Sequence, residues 1–150
     1  MKTKNYINEL EIYVDGCSKG NPGPSGVGIV IIDSTNPQNK QILFKNGYFI
    51  EEGDITNQDA EFWAVIKALD LAANYCVKHI KIYSDSQLVI KELNREFRIH
   101  KEKHRKFVEK IRNKEKIYEQ ILYIKVPRTN KYIKIADKLA TESVVNTMNG

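Results

Sequence analysis

Four acidic residues are the candidates for chemistry in this sequence, because each lies where a predicted strand ends or a predicted helix begins. Asp15 follows the alternating residues of a first strand, and Asp85 ends a later one. Glu61 lies one turn into an apolar helical segment, and Asp137 lies near the start of the last helix. Their separations of 46, 24 and 52 residues allow several elements to converge on one edge of one sheet.

Each acid has an ordinary structural explanation when it is taken alone. Asp15 begins an Asp-Gly pair, which is common in turns, and either Asp85 or Ser86 could cap the following helix. Glu61 would interact with the helix dipole, which contributes about 0.3–1 kcal/mol. Asp137 could be an exposed acid in a helix rich in lysine. A carboxylate in the apolar surroundings of Glu61, however, requires a cation, a metal or access to water.

A cluster of all four predicts a metal site. Clustered carboxylates repel one another and raise each other's pKa, so a cation is needed to neutralise them. Oxygen ligands suit the hard cations Mg²⁺ and Mn²⁺. Two such ions, about 3.5–4 Å apart, can activate water and stabilise the leaving oxygen of a phosphodiester. The pattern therefore favours a metal-dependent nuclease.

The charge distribution fits a polyanionic substrate. The net charge is only +5, but residues 91–138 contain sixteen Lys or Arg against seven Asp or Glu. The remaining residues hold eight against twelve. This asymmetry indicates a basic face for nucleic acid and a separate acidic region, although a solvated helix with scattered lysines would give a similar count.

The sequence predicts an α/β fold with element order β-β-β-α-β-α-α-β-α. The expected strands are the alternating residues around Ile12 and the ranges 26–33, 41–50, 79–84 and 121–126. The expected first helix is capped by Thr56 or Asn57 and contains the apolar segment 60–73. The other expected helices are the ranges 86–93, 101–119 and 133–145. We expect a five-stranded mixed sheet, with three antiparallel strands and then two parallel ones, covered by helices.

Composition narrows the class of protein. A chain of 150 residues with 41% hydrophobic and 29% charged residues is an ordinary globular composition, and we expect a single domain, 1–150. A polar N-terminus and two cysteines predict a cytoplasmic location, with no membrane association. The histidines, His79, His100 and His104, lack zinc spacing and are expected to be surface or strand residues.

Four short motifs occur in chain order on the expected elements. They are Asp15-Gly16 followed by Asn21-Pro22-Gly23-Pro24, Thr56-Asn57-Gln58-Asp59-Ala60-Glu61, Ser84-Asp85-Ser86-Gln87, and Ala136-Asp137-Lys138-Leu139-Ala140. Together they cover essentially the whole chain, and the sequence closely resembles the type 1 ribonuclease H family. That family cuts the RNA strand of RNA–DNA hybrids.

The resemblance implies the chemistry and the site. It implies hydrolysis that leaves 5′-phosphate and 3′-hydroxyl ends, by a monomer that binds two Mg²⁺ ions, with Mn²⁺ as a substitute. The implied metal-binding and catalytic residues are Asp15, Glu61, Asp85 and Asp137, with Asp15 bridging both ions. The implied contacts to the hybrid are Gly16, Asn21, Thr56, Asn57, Gln58 and Gln87.

The sequence departs from the family pattern at three places. Gln58 stands where many relatives have Asn, which lengthens one groove contact. Residues 91–119 contain no Trp, so the Trp-rich basic handle of some relatives is absent, and hybrid affinity would depend on the lysines there. The loop 127–132 lacks the His found in many relatives, so Arg128 or Lys131 is expected to attract phosphate, with reduced turnover.

Two other functions fit parts of the pattern. The first is a non-catalytic module that binds a hybrid or double-stranded RNA on the same fold, but such a module would usually have lost one of the four acids. The second is a metal-dependent exonuclease on a related fold. Those enzymes place an acid two residues after the first Asp, where this chain has Cys17.

Overall fold

Five strands and four helices follow one another in the predicted order. The computed structural model describes residues 7–76 and 78–149. The strands are β1 (Glu9–Ser18), β2 (Gly23–Asp33), β3 (Gln41–Ile55), β4 (His79–Ser84) and β5 (Gln120–Lys125). The helices are α1 (Asn57–Ala72), α2 (Gln87–Leu93), α3 (Glu102–Glu115) and α4 (Lys131–Asn149). Within the described ranges, every helix is too short or too polar to span a lipid bilayer.

The strands form one mixed sheet in the spatial order β3-β2-β1-β4-β5. The β1–β2 and β2–β3 pairs are antiparallel, whereas the β1–β4 and β4–β5 pairs are parallel. In the register of the central strand, Ile12 lies between Ile31 of β2 and Ile82 of β4. The expected α/β fold and its mixed sheet are therefore confirmed.

Helices cover the two faces of the sheet. Buried side chains of α1, α2 and α3 pack with the β1 and β4 residues Leu10, Ile12, Ile80 and Ile82. On the opposite face, α4 packs Ile133 and other small or aliphatic side chains against β1 and β2. The hydrophobic core therefore holds β1, the strand that ends near Asp15, rigidly between two layers of helices.

Several element boundaries differ from the predicted ones. β1 continues three residues past Asp15, because Gly16, Cys17 and Ser18 still pair with β2. α1, however, begins as expected: Thr56 is its cap, and the Thr56 side chain and Asp59 form a reciprocal capping box. The predicted third helix was too long, since α3 ends at Glu115.

The last helix also begins earlier than predicted. The Asn130 side-chain oxygen accepts hydrogen bonds from the backbone N–H groups of Tyr132 (2.9 Å) and Ile133 (3.2 Å). This cap starts α4 at Lys131, so Asp137 is the seventh residue of the helix rather than a first-turn acid.

α4 crosses β2 so closely that a side chain is excluded at one position. A Cβ atom on Gly28 would lie 1.8 Å from the carbonyl oxygen of Ala136. Ala136 precedes Asp137, so the close approach at Gly28 determines where Asp137 lies relative to the sheet.

Gly28→Ala should therefore displace α4. We expect a loss of about 1–3 kcal/mol in the free energy of unfolding, measured by urea denaturation, because the added methyl group overpacks the contact between helix and strand. Gly53→Ala is the matched control, since nothing lies within 4 Å of a Cβ atom there. Equal effects of the two substitutions would contradict this description of the α4 contact.

Candidate active site

Three of the four predicted acids meet at one edge of the sheet. Asp15, Glu61 and Asp85 each place one carboxylate oxygen so that the three oxygens lie within 4.8 Å of one another. Asp15 lies on β1, and Asp85 directly follows β4, the parallel neighbour of β1. Glu61 reaches the same edge from the second turn of α1. The predicted convergence of these three residues is thus observed.

Backbone and side-chain donors hold the Glu61 carboxylate in place. The Gly16 N–H donates to Glu61 Oε1, and the Ser84 hydroxyl donates to Oε2 at 3.3 Å. A Cβ atom on Gly16 would lie 2.3 Å from the backbone of Ala60, so only glycine lets α1 come this close to β1. Both contacts orient the carboxylate toward Asp15 and Asp85.

Ser84 is a site residue that the sequence analysis missed. It is buried at the end of β4, on the same face of the strand as Ile80 and Ile82. The alternation of β4 contained this signal, because every second residue of a strand points to the same face. The motif Ser84-Asp85-Ser86-Gln87 alone indicates no separate role for Ser84.

Asp85 is partly accessible and has a cationic neighbour. Its side chain is 15% exposed, and the Nε atom of Arg128 lies 3.6 Å from its Oδ2. The Arg128 side chain is itself 92% exposed, so this pair is solvated and contributes little to stability. Arg128 lies in the loop where we expected a residue that attracts phosphate.

Asp137 lies at the same cavity but outside the three-oxygen cluster. It is exposed on α4, and it contributes to raising the pKa of Asp15. The cavity has a volume of about 690 Å³. It is lined by Asp15, Gly16, Cys17, Asn57, Gln58, Glu61, Asp85, Ser86, Arg128, Thr129, Ile133, Lys134 and Asp137.

The residues expected to contact the substrate are only partly brought together. Gly16, Asn57 and Gln58 line the cavity, whereas Asn21, Thr56 and Gln87 do not. The Asn57 side-chain oxygen accepts from the Ser18 N–H at 2.8 Å, and the Asn57 N–H donates to the Asn21 side-chain oxygen at 2.9 Å.

The other two expected substrate residues lie at helix N-termini. Thr56 is the N-cap of α1, so the structural explanation of this residue holds. Gln87 is the exposed first residue of α2. These positions border the carboxylate edge of the sheet from two helices.

Mutual repulsion and burial strongly perturb the protonation of the acids. Burial, followed by the charges of Glu61 and Asp85, raises the pKa of Asp15 to about 11. Burial also raises the pKa of Glu61 to about 7, despite the hydrogen bonds from Gly16 and Ser84 that favour its ionised form. These two carboxyl groups are close together, so they retain protons near neutral pH when no cation is present.

The donor set fits a hard divalent cation. Its candidate ligands are carboxylate oxygens only, as Mg²⁺ and Mn²⁺ prefer. A divalent charge would also relieve the repulsion that raises the pKa of Asp15. The nearby Cys17 thiol is a soft ligand, and burial raises its pKa, which disfavours the thiolate needed to bind metal.

The chain matches the family model described as RNase H over residues 7–144. Ribonuclease HI of Halobacterium salinarum is 40% identical over 84 residues, which are 56% of this chain and 39% of that protein. The chain therefore aligns with well under two thirds of that relative's length.

Two solved structures share the fold over nearly the whole chain. The crystal structure of RNase H1 from the halophilic archaeon Halobacterium salinarum has a TM-score of 0.83 and 31% identity, covering 93% of this chain and 99% of that one. LC11-RNase H1, solved in complex with an RNA/DNA hybrid, has a TM-score of 0.80 and 25% identity, with the same coverage of 93% and 99%.

The raised pKa of Asp15 predicts how stability changes with pH in the absence of metal. The folded state holds a proton that the unfolded state releases near pH 3.8, so stability should fall as pH rises above that value. In EDTA, we expect the melting temperature to decrease from about pH 5 to about pH 8. Asp15→Asn should flatten this dependence.

The same substitution should stabilise the metal-free chain at neutral pH by about 1–3 kcal/mol, since a tenfold change in proton affinity corresponds to about 1.4 kcal/mol. Added Mg²⁺ should stabilise the wild type more than Asp15→Asn. Glu51→Gln is the control, since Glu51 is exposed on β3 and forms no ion pair with any described residue. A metal-free Asp15→Asn variant less stable than the wild type would contradict the proposed repulsion.

Proposed function

Because the chain belongs to the ribonuclease H family, we propose that it is an endonuclease that hydrolyses the RNA strand of RNA–DNA hybrids. The observation that carries this proposal is the cluster of three carboxylate oxygens within 4.8 Å of one another, which lines a cavity of about 690 Å³. The expected products have 5′-phosphate and 3′-hydroxyl ends.

In this proposal, Asp15, Glu61, Asp85 and Asp137 would hold two Mg²⁺ ions, with Mn²⁺ as an alternative. When bound, the ions would supply an activated water and stabilise the charge on the leaving oxygen. The chain itself orients the ligands. The Gly16 N–H and the Ser84 hydroxyl hold the Glu61 carboxylate in one orientation, so it does not have to be ordered when a cation binds.

Residues at the helix N-termini would read the hybrid. Amide side chains can bond to base edges and to the 2′-hydroxyl that distinguishes RNA from DNA. Asn57 and Gln58 of α1 line the cavity together with Gly16. Gln87, outside the cavity, would contact the hybrid from the start of α2, and Asn21 would do so from beside Asn57. Thr56 would hold a phosphate near the start of α1, where backbone N–H groups favour anions.

Three of the lysines expected to attract phosphate contact α1 instead. Lys103 donates to Asp59 at 2.7 Å, Lys114 donates to Asp70 at 2.6 Å, and Lys110 lies 5.2 Å from the centre of the Trp63 ring. These three lysines of α3 are therefore engaged with α1.

Arginines supply an alternative basic surface. A cleft of about 580 Å³ between α2, α3 and the connecting loop is lined by Arg95, Arg98, Arg105 and Arg112. Arg112 pairs with Glu115 at 2.9 Å. Arg98 is exposed and forms no ion pair with any described residue. We propose that these arginines carry most of the phosphate attraction in this segment.

We also propose the domain content, oligomeric state and location of the protein. One ribonuclease H domain, 1–150, acts as a monomer in the cytoplasm. The basic composition of the segment 91–138 supports nucleic acid, rather than a membrane, as the partner.

A cleavage assay tests the proposed function. Labelled RNA–DNA hybrid, double-stranded RNA and single-stranded RNA are each incubated with Mg²⁺ and wild-type protein, Asp15→Asn or the surface control Glu51→Gln. We expect internal cuts in the RNA of the hybrid, unchanged by Glu51→Gln. Asp15→Asn should slow cleavage at least about a hundredfold, because metal stabilisation of several kcal/mol is lost.

The outcomes separate the alternative functions. Cleavage that survives Asp15→Asn would contradict the metal site. Binding of the hybrid without cleavage by the wild type would support the non-catalytic module, and digestion only from RNA ends would support the exonuclease.

The arginine surface predicts a change in salt dependence. In an Asp15→Asn background, Arg98→Gln should weaken hybrid binding and lower the slope of log affinity against log salt by about 1, because one phosphate contact is lost. Lys81→Gln is the control, since Lys81 alternates with the core residues Ile80 and Ile82 and so lies on the other face of the sheet. Equal slopes for both variants would contradict a role for Arg98.

A further inference from the structure

A buried histidine lies between two helices behind the carboxylate cluster. His104 of α3 is only 2% exposed, so the expectation of a surface residue was wrong. Its Nδ1 atom lies 3.4 Å from Glu92 Oε1 on α2, and its Nε2 atom lies 3.9 Å from Asp59 Oδ1 on α1. The ring packs on Phe62, with centroids 4.9 Å apart. One imidazole thus contacts an acid from each helix.

Asp59 and Glu92 differ in the contacts that they make besides those with His104. Asp59 also accepts from Lys103 at 2.7 Å and takes part in the capping box of α1. Glu92 is 4% exposed, and its Oε2 atom lies 3.3 Å from His104 Nδ1. Glu92 also lines the cleft of the arginines, but His104 is the only side chain within hydrogen-bonding or ion-pair distance of it in the described ranges. His104 is therefore the side chain through which Glu92 can fix the position of α2.

Both helices carry parts of the proposed active site. Asp59 lies two residues from Asn57 and two from Glu61 on α1. Glu92 lies five residues beyond Gln87, on the seven-residue helix that directly follows Asp85 and its N-cap Ser86. A shift of α2 against α1 would therefore change the separation of Glu61 from Asp85 at the cation cluster.

Packing alone does not require these polar groups. The neighbours of His104 include Phe62, which stacks in turn on Phe107, so an aromatic hydrocarbon would fill the same volume. Replacing a buried charged network by apolar residues of similar volume is often neutral or stabilising. The directional contacts of an imidazole instead fix how two elements are placed relative to each other.

We propose that His104 is a positioning residue that sets α2 against α1. It would thereby set the distance between the Glu61 and Asp85 carboxylates, and between the groove residues of α1 and Gln87. The effect on hybrid cleavage rests on the proposed function. The effect on cation binding does not, because it depends only on the geometry of the carboxylates.

The test is His104→Phe, which keeps an aromatic ring but removes both nitrogen contacts. We expect the Mg²⁺ concentration that gives half-maximal thermal stabilisation to rise about threefold to tenfold, because the carboxylate geometry is less well defined. For hybrid cleavage at saturating Mg²⁺, KM should rise by a similar factor with a smaller change in kcat, since the groove residues are displaced.

Two further variants distinguish positioning from general stability. His104→Gln retains a side-chain donor and acceptor, and it should recover at least half of the lost Mg²⁺ affinity on a logarithmic scale. His100→Phe, at an exposed position four residues earlier, should leave the Mg²⁺ midpoint and KM unchanged. If His104→Phe does not fold, Glu92→Gln replaces it, with the same expected rise in the Mg²⁺ midpoint.

A change in melting temperature alone, with the Mg²⁺ midpoint and KM both as in wild type, would overturn the proposal and leave His104 a purely structural residue. Absence of hybrid cleavage by the wild type would count against the proposed function, but the Mg²⁺ midpoint would still decide the role of His104.

Discussion

Electrostatic repulsion among Asp15, Glu61 and Asp85 is the constraint on which the rest of this structure depends. Three carboxylate oxygens within 4.8 Å of one another oppose folding unless protons or a cation compensate their charge. The fold must therefore hold the acids together against their own repulsion. Burial, followed by this repulsion, raises the pKa of Asp15 to about 11.

The compensating stability comes from the hydrophobic core. Parallel pairing of β1 with β4 brings Asp15 and Asp85 to one edge, and α1 fixes Glu61 through a close contact that only Gly16 permits. α1 itself is held by buried side chains such as Phe62 and by three lysine contacts from α3. The basic residues thus divide between those that stabilise the scaffold and those, such as Arg98, that stay accessible to substrate.

Local sequence patterns predicted much of this arrangement. The alternation around Ile12 predicted β1, and the acids at strand ends predicted the common edge of the sheet. The pairings of distant residues could not be predicted in this way. The expectation that His104 is a surface or strand residue was wrong because its partners, Asp59 and Glu92, lie 45 and 12 positions away in sequence. α4 begins two residues earlier than predicted because Asn130 caps it, and the apolar spacing of residues 133–145 gives no sign of that cap.

Proton release on Mg²⁺ binding tests the central claim most directly. Isothermal titration calorimetry at neutral pH, in buffers of different ionisation enthalpy, measures the number of protons exchanged. A carboxylate cluster that retains protons without a cation should release about one proton per chain when Mg²⁺ binds, and the release should be much smaller in Asp15→Asn, where only Glu61 can still hold a proton. Mg²⁺ binding by the wild type without proton release would contradict the account.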